Sequence, residues 1–348
     1  MDDKEIYNNE LLDLYEKLEV ELIALLIVKV QEINYSEFNQ YEFKKLQKDE
    51  GRKIYNYTIN EFNNINSKRN KALKNIYKDN VVDKINDYDE NFTIDKQQMK
   101  IINENINLTN DNLRKLARGV ASNIQDKMID SMGKMYENVV RGNENFQEAF
   151  KRVTKEITDS GLTYTDKAGR NRSIEATVRQ DLLYRINETN RELYKEVAKK
   201  MHTTGWQISI TPNCRDSHQV INGQKFTNEE WKEYEHLTHD YNCQHDVEPI
   251  FYEFQDNKYT QEEIDYANNR TVDYKGEKIS YYDATQKQRA LERAIRNAKK
   301  NVVIAEKTKI NINQARTVLE KADMKMQMFI KETKLYRDED REFYALYD

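Results

Sequence analysis

Two cysteines and five histidines are the residues of this 348-residue chain best suited to metal or nucleophilic chemistry, and all of them, with both tryptophans and both prolines, fall between residues 202 and 249. Cys214-x3-His218 and Cys243-x-His245 offer a Cys2His2 donor set, the kind zinc takes in a tetrahedral structural site. The first spacing suits such a site. The second is tighter than usual, and His239, four residues ahead of Cys243, is an alternative to His245 as fourth ligand. The competing reading, which the half-met spacing favours, is that a loop-rich module uses its Cys, His and Asn side chains to satisfy buried backbone groups. A catalytic reading requires a thiolate from Cys214 or Cys243 beside His218 as base. No Gly-rich phosphate loop, no His-Glu-x-x-His and no isolated acidic pair accompanies these residues. The expectation is therefore a protein that is not an enzyme, with structural zinc as the one cofactor to test.

A second set of residues lies in the C-terminal part. At 100° per residue Arg289, Arg293, Arg296 and Lys300 fall on one side of a helix, with Lys299 beside Lys300, while Leu291, Ile295, Ala298 and Val302 fall opposite. From residue 287 to 316 there are nine Lys or Arg against two Glu, inside a chain of net charge -5. Such a face suits sequence-independent contact with the phosphates of double-stranded DNA. It equally suits pairing with acidic residues elsewhere in the chain or on a partner, as charge runs more often do.

The elements that must position these residues are mostly helices. Only 38% of residues are apolar and 34% are charged, with nine Gly and two Pro, a balance that fits long exposed helices rather than one dense core. The near balance of 61 acidic and 56 basic residues keeps the whole molecule from acting as a trap for nucleic acid. The longest apolar run, residues 22–28, is far short of the ~20 needed to cross a bilayer and follows acidic residues, so no membrane segment and no secretory leader is expected.

Residues 10–30 carry Leu11, Leu12, Tyr15, Leu18, Leu22, Leu25 and Leu26 in one stripe, to be packed against neighbouring helices or docked on another subunit. Thr109 to Asn112 reads as a helix start ahead of 113–140, closed at Gly142; 145–158 is a helix closed at Gly161; 165–170 is a loop or hairpin; 173–201 is one long helix. Trp206 to Ile210 alternates as a strand, 220–226 suits a hairpin around Gly223, and Thr227-Asn228-Glu229-Glu230 and Thr260-Gln261-Glu262-Glu263 are capping boxes. Past residue 260 the chain reads as helices throughout, with a turn at 274–277 and long helices over 283–308 and 312–337. The fold class is thus mainly α with a small α+β Cys/His-containing module, an elongated multi-helix protein. Its regions are 1–157, helical; 158–201, loop and long helix; 202–258, the module; and 259–348, helical with the basic amphipathic helix.

Arg215-Asp216-Ser217-His218, then Gly223-Gln224-Lys225-Phe226, then Asn242-Cys243-Gln244-His245 with Pro249 after it, resemble in order and spacing the phage minor capsid protein 2 family, of the Mu F-like head-morphogenesis group. The similarity continues through residues 259–263, 272–277 and 283–296 and upstream through Gly169-Arg170 and 174–179, covering roughly 90–310. The family's Asn-Cys-Arg-His reads Asn242-Cys243-Gln244-His245 here, so that arginine's role is absent or supplied elsewhere. The resemblance implies a few-copy virion protein inside the capsid near the portal, made in the host cytoplasm during assembly. Its implied partners are the portal protein, the major capsid or scaffold protein, and packaged DNA; the alternative is a DNA-binding accessory for genome packaging or ejection.

Overall fold

The leucine stripe does form a helix, α1 (Asp3–Glu32), in a computed structural model that describes residues 3–86, 93–166, 168–344 and 346–347, the side chains of 3–11 and 76–86 excepted. Leu11 falls among the exceptions. Tyr15, Leu18 and Leu22 are buried, but so are Val20, Ile23 and Ile27 on the other side of the helix. A helix with apolar residues on opposite sides, and only a narrow strip with Lys17 and Glu21 exposed, belongs largely inside a protein. Helix α1 accordingly lies among α2 (Gln40–Asn86), α3 (Lys96–Val140), α4 (Phe146–Ser160), α5 (Ile174–Met201) and α8 (Tyr281–Thr308). The stripe is spent within the chain, so of the two readings packing against neighbouring helices holds and docking on another subunit does not.

Helices α2 and α3, of 47 and 45 residues, run antiparallel: the Gln47 amide donates to the Ile129 carbonyl at 3.0 Å, and Arg69 reaches Asn110. At 1.5 Å per residue each spans about 70 Å, which makes the molecule elongated. Helix α3 starts earlier than the sequence suggested. Asp95 and Gln98 form a capping box, and Thr109, read as part of a helix start, is fully buried in mid-helix. Its hydroxyl donates to the Asn105 carbonyl at 2.9 Å, which lets a residue that favours caps sit inside a helix. Gly142 follows the end of α3 as expected.

Asn145 caps α4, Gly161 closes it at φ 55°, and strands β1 (Thr163–Thr165) and β2 (Asn171–Ser173) make the expected hairpin before Ser173 caps α5. The next elements are β3 (Gly205–Ile208), β4 (Lys225–Thr227), α6 (Asn228–Tyr234), β5 (Val247–Ile250) and α7 (Gln261–Asn269), with the strands antiparallel in the order β4-β3-β5. Both capping boxes form. Of the hairpin expected at 220–226, only the end enters a strand, and its partner is β3. Strand β5 is an element the sequence reading lacks; its Pro249 is tolerated at the sheet edge, opposite Trp206. Trp206, Ile208, Ile221, Trp231 and Val247 belong to the same apolar core as α1 to α5.

A hairpin, β6 (Thr271–Tyr274) and β7 (Glu277–Ser280), interrupts the region expected to be helical throughout. Helices α8 and α9 (Ile312–Thr333) then pack on it around Ala284, Ile295, Met326, Phe329 and Leu335. Helix makes up 71% of the structure, so the class is mainly α with a small α+β module.

Candidate functional site

The loop 209–224 between β3 and β4 and the loop 240–246 before β5 meet beside α5 and α7, and this junction holds both cysteines and two of the five histidines, His218 and His245. A turn from Thr211 to Cys214 and a short 3-10 helix, Asp216–His218, aim His218 inward. Asn242 takes a left-handed conformation at φ 63°, within a turn closed by the Cys243 N–H donating to the Asp240 carbonyl, 3.1 Å. His218, Cys243 and His245 are 1%, 5% and 4% exposed, and one donor atom from each lies within 4.8 Å of the others. Among the described residues this is the group able to hold a metal ion.

The hydrogen bonds fix its protons. Asn222 Oδ1 accepts from the Thr211 N–H at 2.7 Å, and its amide nitrogen donates to Asn268 at 2.7 Å, so the amide orientation is set. His245 Nε2, 3.1 Å from that oxygen, must therefore donate, and Nδ1 turns its lone pair toward Cys243 Sγ at 3.4 Å. His218 Nε2 lies 3.1 Å from the Asp240 carboxylate, which Arg215 also holds at 3.2 Å. Asn187 on α5 donates to the Cys243 carbonyl at 2.9 Å. Burial first, then His218, lowers the His245 pKa to about 4; burial pushes the Cys243 thiol up and the Cys214 thiol up to about 12. Protonated, buried thiols are the opposite of an activated nucleophile.

Three of the four expected ligands thus converge. Cys214, 7% exposed, directs its thiol to the Arg215 carbonyl at 3.3 Å and stands outside the group, yet near enough to Cys243 for the two thiols to interact electrostatically. His239 does not replace His245: it pairs with Glu188 of α5 at 2.8 Å. Of the motif residues, Gly223 takes φ 71° where a Cβ would come within 2.8 Å of Ile210 and Ile264, Ser217 and Asn242 are exposed, and the Gln224 carbonyl accepts from the Ile208 N–H. Sequence reasoning missed Asn187, Asn222 and Asp240. In so Asn-rich a chain nothing in their local sequence marks them.

The basic face of α8 is corrected by the structure. Arg296 is 7% exposed, with two guanidinium nitrogens on Glu175 Oε1 at 2.9 and 2.8 Å and a third on the Arg341 carbonyl. Lys300, also 7% exposed, donates to Glu19 Oε1 of α1 at 2.9 Å. That oxygen also accepts from the Leu162 N–H at 3.3 Å, beside Gly161, whose missing Cβ leaves room for the pair. Arg293 is exposed, Arg289 is half-buried, and Lys299 stacks over the Tyr347 ring. Two of the five cations expected to meet DNA are consumed in pairing with distant acids, so no continuous basic stripe faces solvent.

A mainly helical protein, with a buried Cys/His module and with its polar centres turned inward, is what fold and site define. No described helix is long and apolar enough to cross a membrane. The phage minor capsid protein 2 family model matches residues 3–331, nearly the whole chain, and the chain belongs to that family. Its role is accordingly that of a minor structural protein of the phage capsid, and its place is the virion. No curated protein and no solved structure matches the chain.

Proposed function

We propose that this protein works by binding inside the phage head near the portal vertex, holding to the portal oligomer and to the major capsid or scaffold protein while the procapsid assembles. The family match over residues 3–331 carries this reading. The economy of the fold supports it: apolar helix faces are buried against one another, and the thiols are protonated and enclosed. The outer side of α9 is the surface this reading assigns to the portal. There Val318, Met324 and Met328 are 48%, 59% and 69% exposed beside exposed Lys321 and Lys325. Adaptable methionines with a rim of both charges, Lys321 and Lys325 beside exposed Glu320 and Glu332, suit an apolar patch with a mixed charged border on the partner. A role based mainly on duplex DNA is less well supported, because Arg296 and Lys300 are occupied within the chain.

The test is incorporation into heads of a phage lacking the gene, complemented with the wild-type chain or with Met324→Asp/Met328→Asp, and measured by mass spectrometry before and after external protease. The wild-type chain is expected in few copies, protected from protease, and the double variant is expected to be lost from particles while remaining folded. A chain removed by external protease overturns the interior placement, and unchanged incorporation of the double variant overturns the α9 assignment.

A further inference from the structure

We propose that His218, Cys243 and His245 bind one zinc ion, with Cys214 as the fourth donor, and that this ion locks the loop 209–224 to the loop 240–246. The donor atoms of the three buried residues already lie within 4.8 Å of one another. Donors on a tetrahedral zinc with bonds of 2.0–2.3 Å sit about 3.5 Å apart, so side-chain shifts of about 1 Å close the site.

The surroundings carry the inference further than the donors alone. Metal-bound histidines characteristically present the other ring nitrogen to a carboxylate or amide oxygen, which fixes tautomer and ring plane. His218 Nε2 faces the Asp240 carboxylate at 3.1 Å and His245 Nε2 faces Asn222 Oδ1 at 3.1 Å, leaving Nδ1 of each ring for a cation. The outer partners are themselves held, Asp240 by Arg215 at 3.2 Å and Asn222 by Thr211 and Asn268, each at 2.7 Å. The Cys243 carbonyl is anchored to Asn187 on α5 at 2.9 Å, so the rigid long helix positions the thiol. Two imidazoles with thiolate sulfur select zinc over magnesium or calcium, which take oxygen ligands. Cys214, 7% exposed and near enough to the Cys243 thiol to interact with it, is the remaining sulfur, and it reaches the ion by exchanging its contact with the Arg215 carbonyl. Binding releases the S–H protons of the coordinating thiols to solvent.

The test is the zinc content of the full-length protein purified without chelator, followed by cobalt reconstitution of the stripped protein. The expected result is about one zinc per chain and a tetrahedral cobalt spectrum with a thiolate charge-transfer band. Asp240→Asn is expected to weaken binding about 10- to 100-fold, as outer partners do, and His218→Ala and Cys243→Ser by more; Cys214→Ser is expected to shift the charge-transfer band, and His239→Asn to change nothing. Because ligand variants risk unfolding, the wild-type chain supplies a second readout: its melting temperature falls with chelator and returns with zinc. Folded wild-type protein that takes up neither zinc nor cobalt overturns the proposal, as does wild-type affinity in folded His218→Ala and Cys243→Ser.

Discussion

Two regions of this protein bury polar groups in quite different ways. Where α1, α5 and α8 meet, Lys300 finds Glu19 from 281 residues away and Arg296 finds Glu175 from 121, while the Tyr344 hydroxyl donates to the Glu16 carbonyl at 3.3 Å. Full charges there are matched by opposite charges, and the beginning, middle and end of the chain are tied together. Around His218, Cys243 and His245 the groups are held by Asp240, Asn222 and Asn187, and their sulfur and nitrogen lone pairs converge. Burying an ion pair is justified only when each partner is satisfied. The charged seam has therefore spent its chemistry on the fold, and the Cys/His cluster retains donors for a ligand.

Breaking the seam gives the largest expected effect. Arg296→Ala leaves the half-buried carboxylate of Glu175 with only Arg179, 3.8 Å away, and is expected to cost about 2–3 kcal/mol in denaturant unfolding, much of it recovered in Arg296→Met/Glu175→Leu. If the single variant unfolds like the wild-type chain, the pair is not what joins α8 to α5.

The seam also has a pH signature. Burial, then repulsion from Glu175 and Asp13, raises the Glu16 pKa to about 8, against smaller opposing effects of Arg296 and Arg179. The folded state therefore keeps a proton that the unfolded state loses above about 4.5. Stability from this group is full below that value and is lost as pH rises through about 8, by on the order of 5 kcal/mol. Glu16→Gln is expected to flatten melting temperature against pH across that window; an unchanged slope places the titration elsewhere.

Smaller effects sharpen the contrast. Gly223→Ala adds a Cβ within 2.8 Å of Ile210 and Ile264 at φ 71° and is expected to cost about 1–3 kcal/mol, loosening the module as seen by hydrogen exchange at 209–224 while leaving α2 and α3 protected. Exchange that rises equally in α2 and α3 means the module and the helices open together. Arg293→Ala, on the exposed side of the helix that carries Arg296, is expected to change stability by less than about 0.5 kcal/mol. A larger loss means that exposure does not separate the two arginines.

Element types were largely legible in the sequence because capping boxes and glycine stops act locally: Thr227, Thr260, Ser173, Gly142 and Gly161 fall where their chemistry requires. Tertiary context was not. A wheel placed Arg296 and Lys300 on an outward face, but α8 is also covered by α1 and by the C-terminal segment, so it buries Glu292, Arg296 and Lys300 as well as Ile295, Ala298 and Val302. Similarly, the Cys and His positions drew attention to the correct module, but their outer partners are brought in by long-range contacts, Asn187 from 56 residues before Cys243 and Asn222 from 23 before His245. Polar Thr109 misled in the opposite sense, since its bond to Asn105 is available only once the helix exists.

The measurement that bears most directly on the proposed role is co-sedimentation of the purified chain with the portal oligomer of the same phage, at low and at moderate salt, beside Met324→Asp/Met328→Asp. The account predicts association that survives moderate salt and is lost in the double variant. Absence of portal association, together with salt-sensitive binding to duplex DNA, contradicts it and moves the function to the genome.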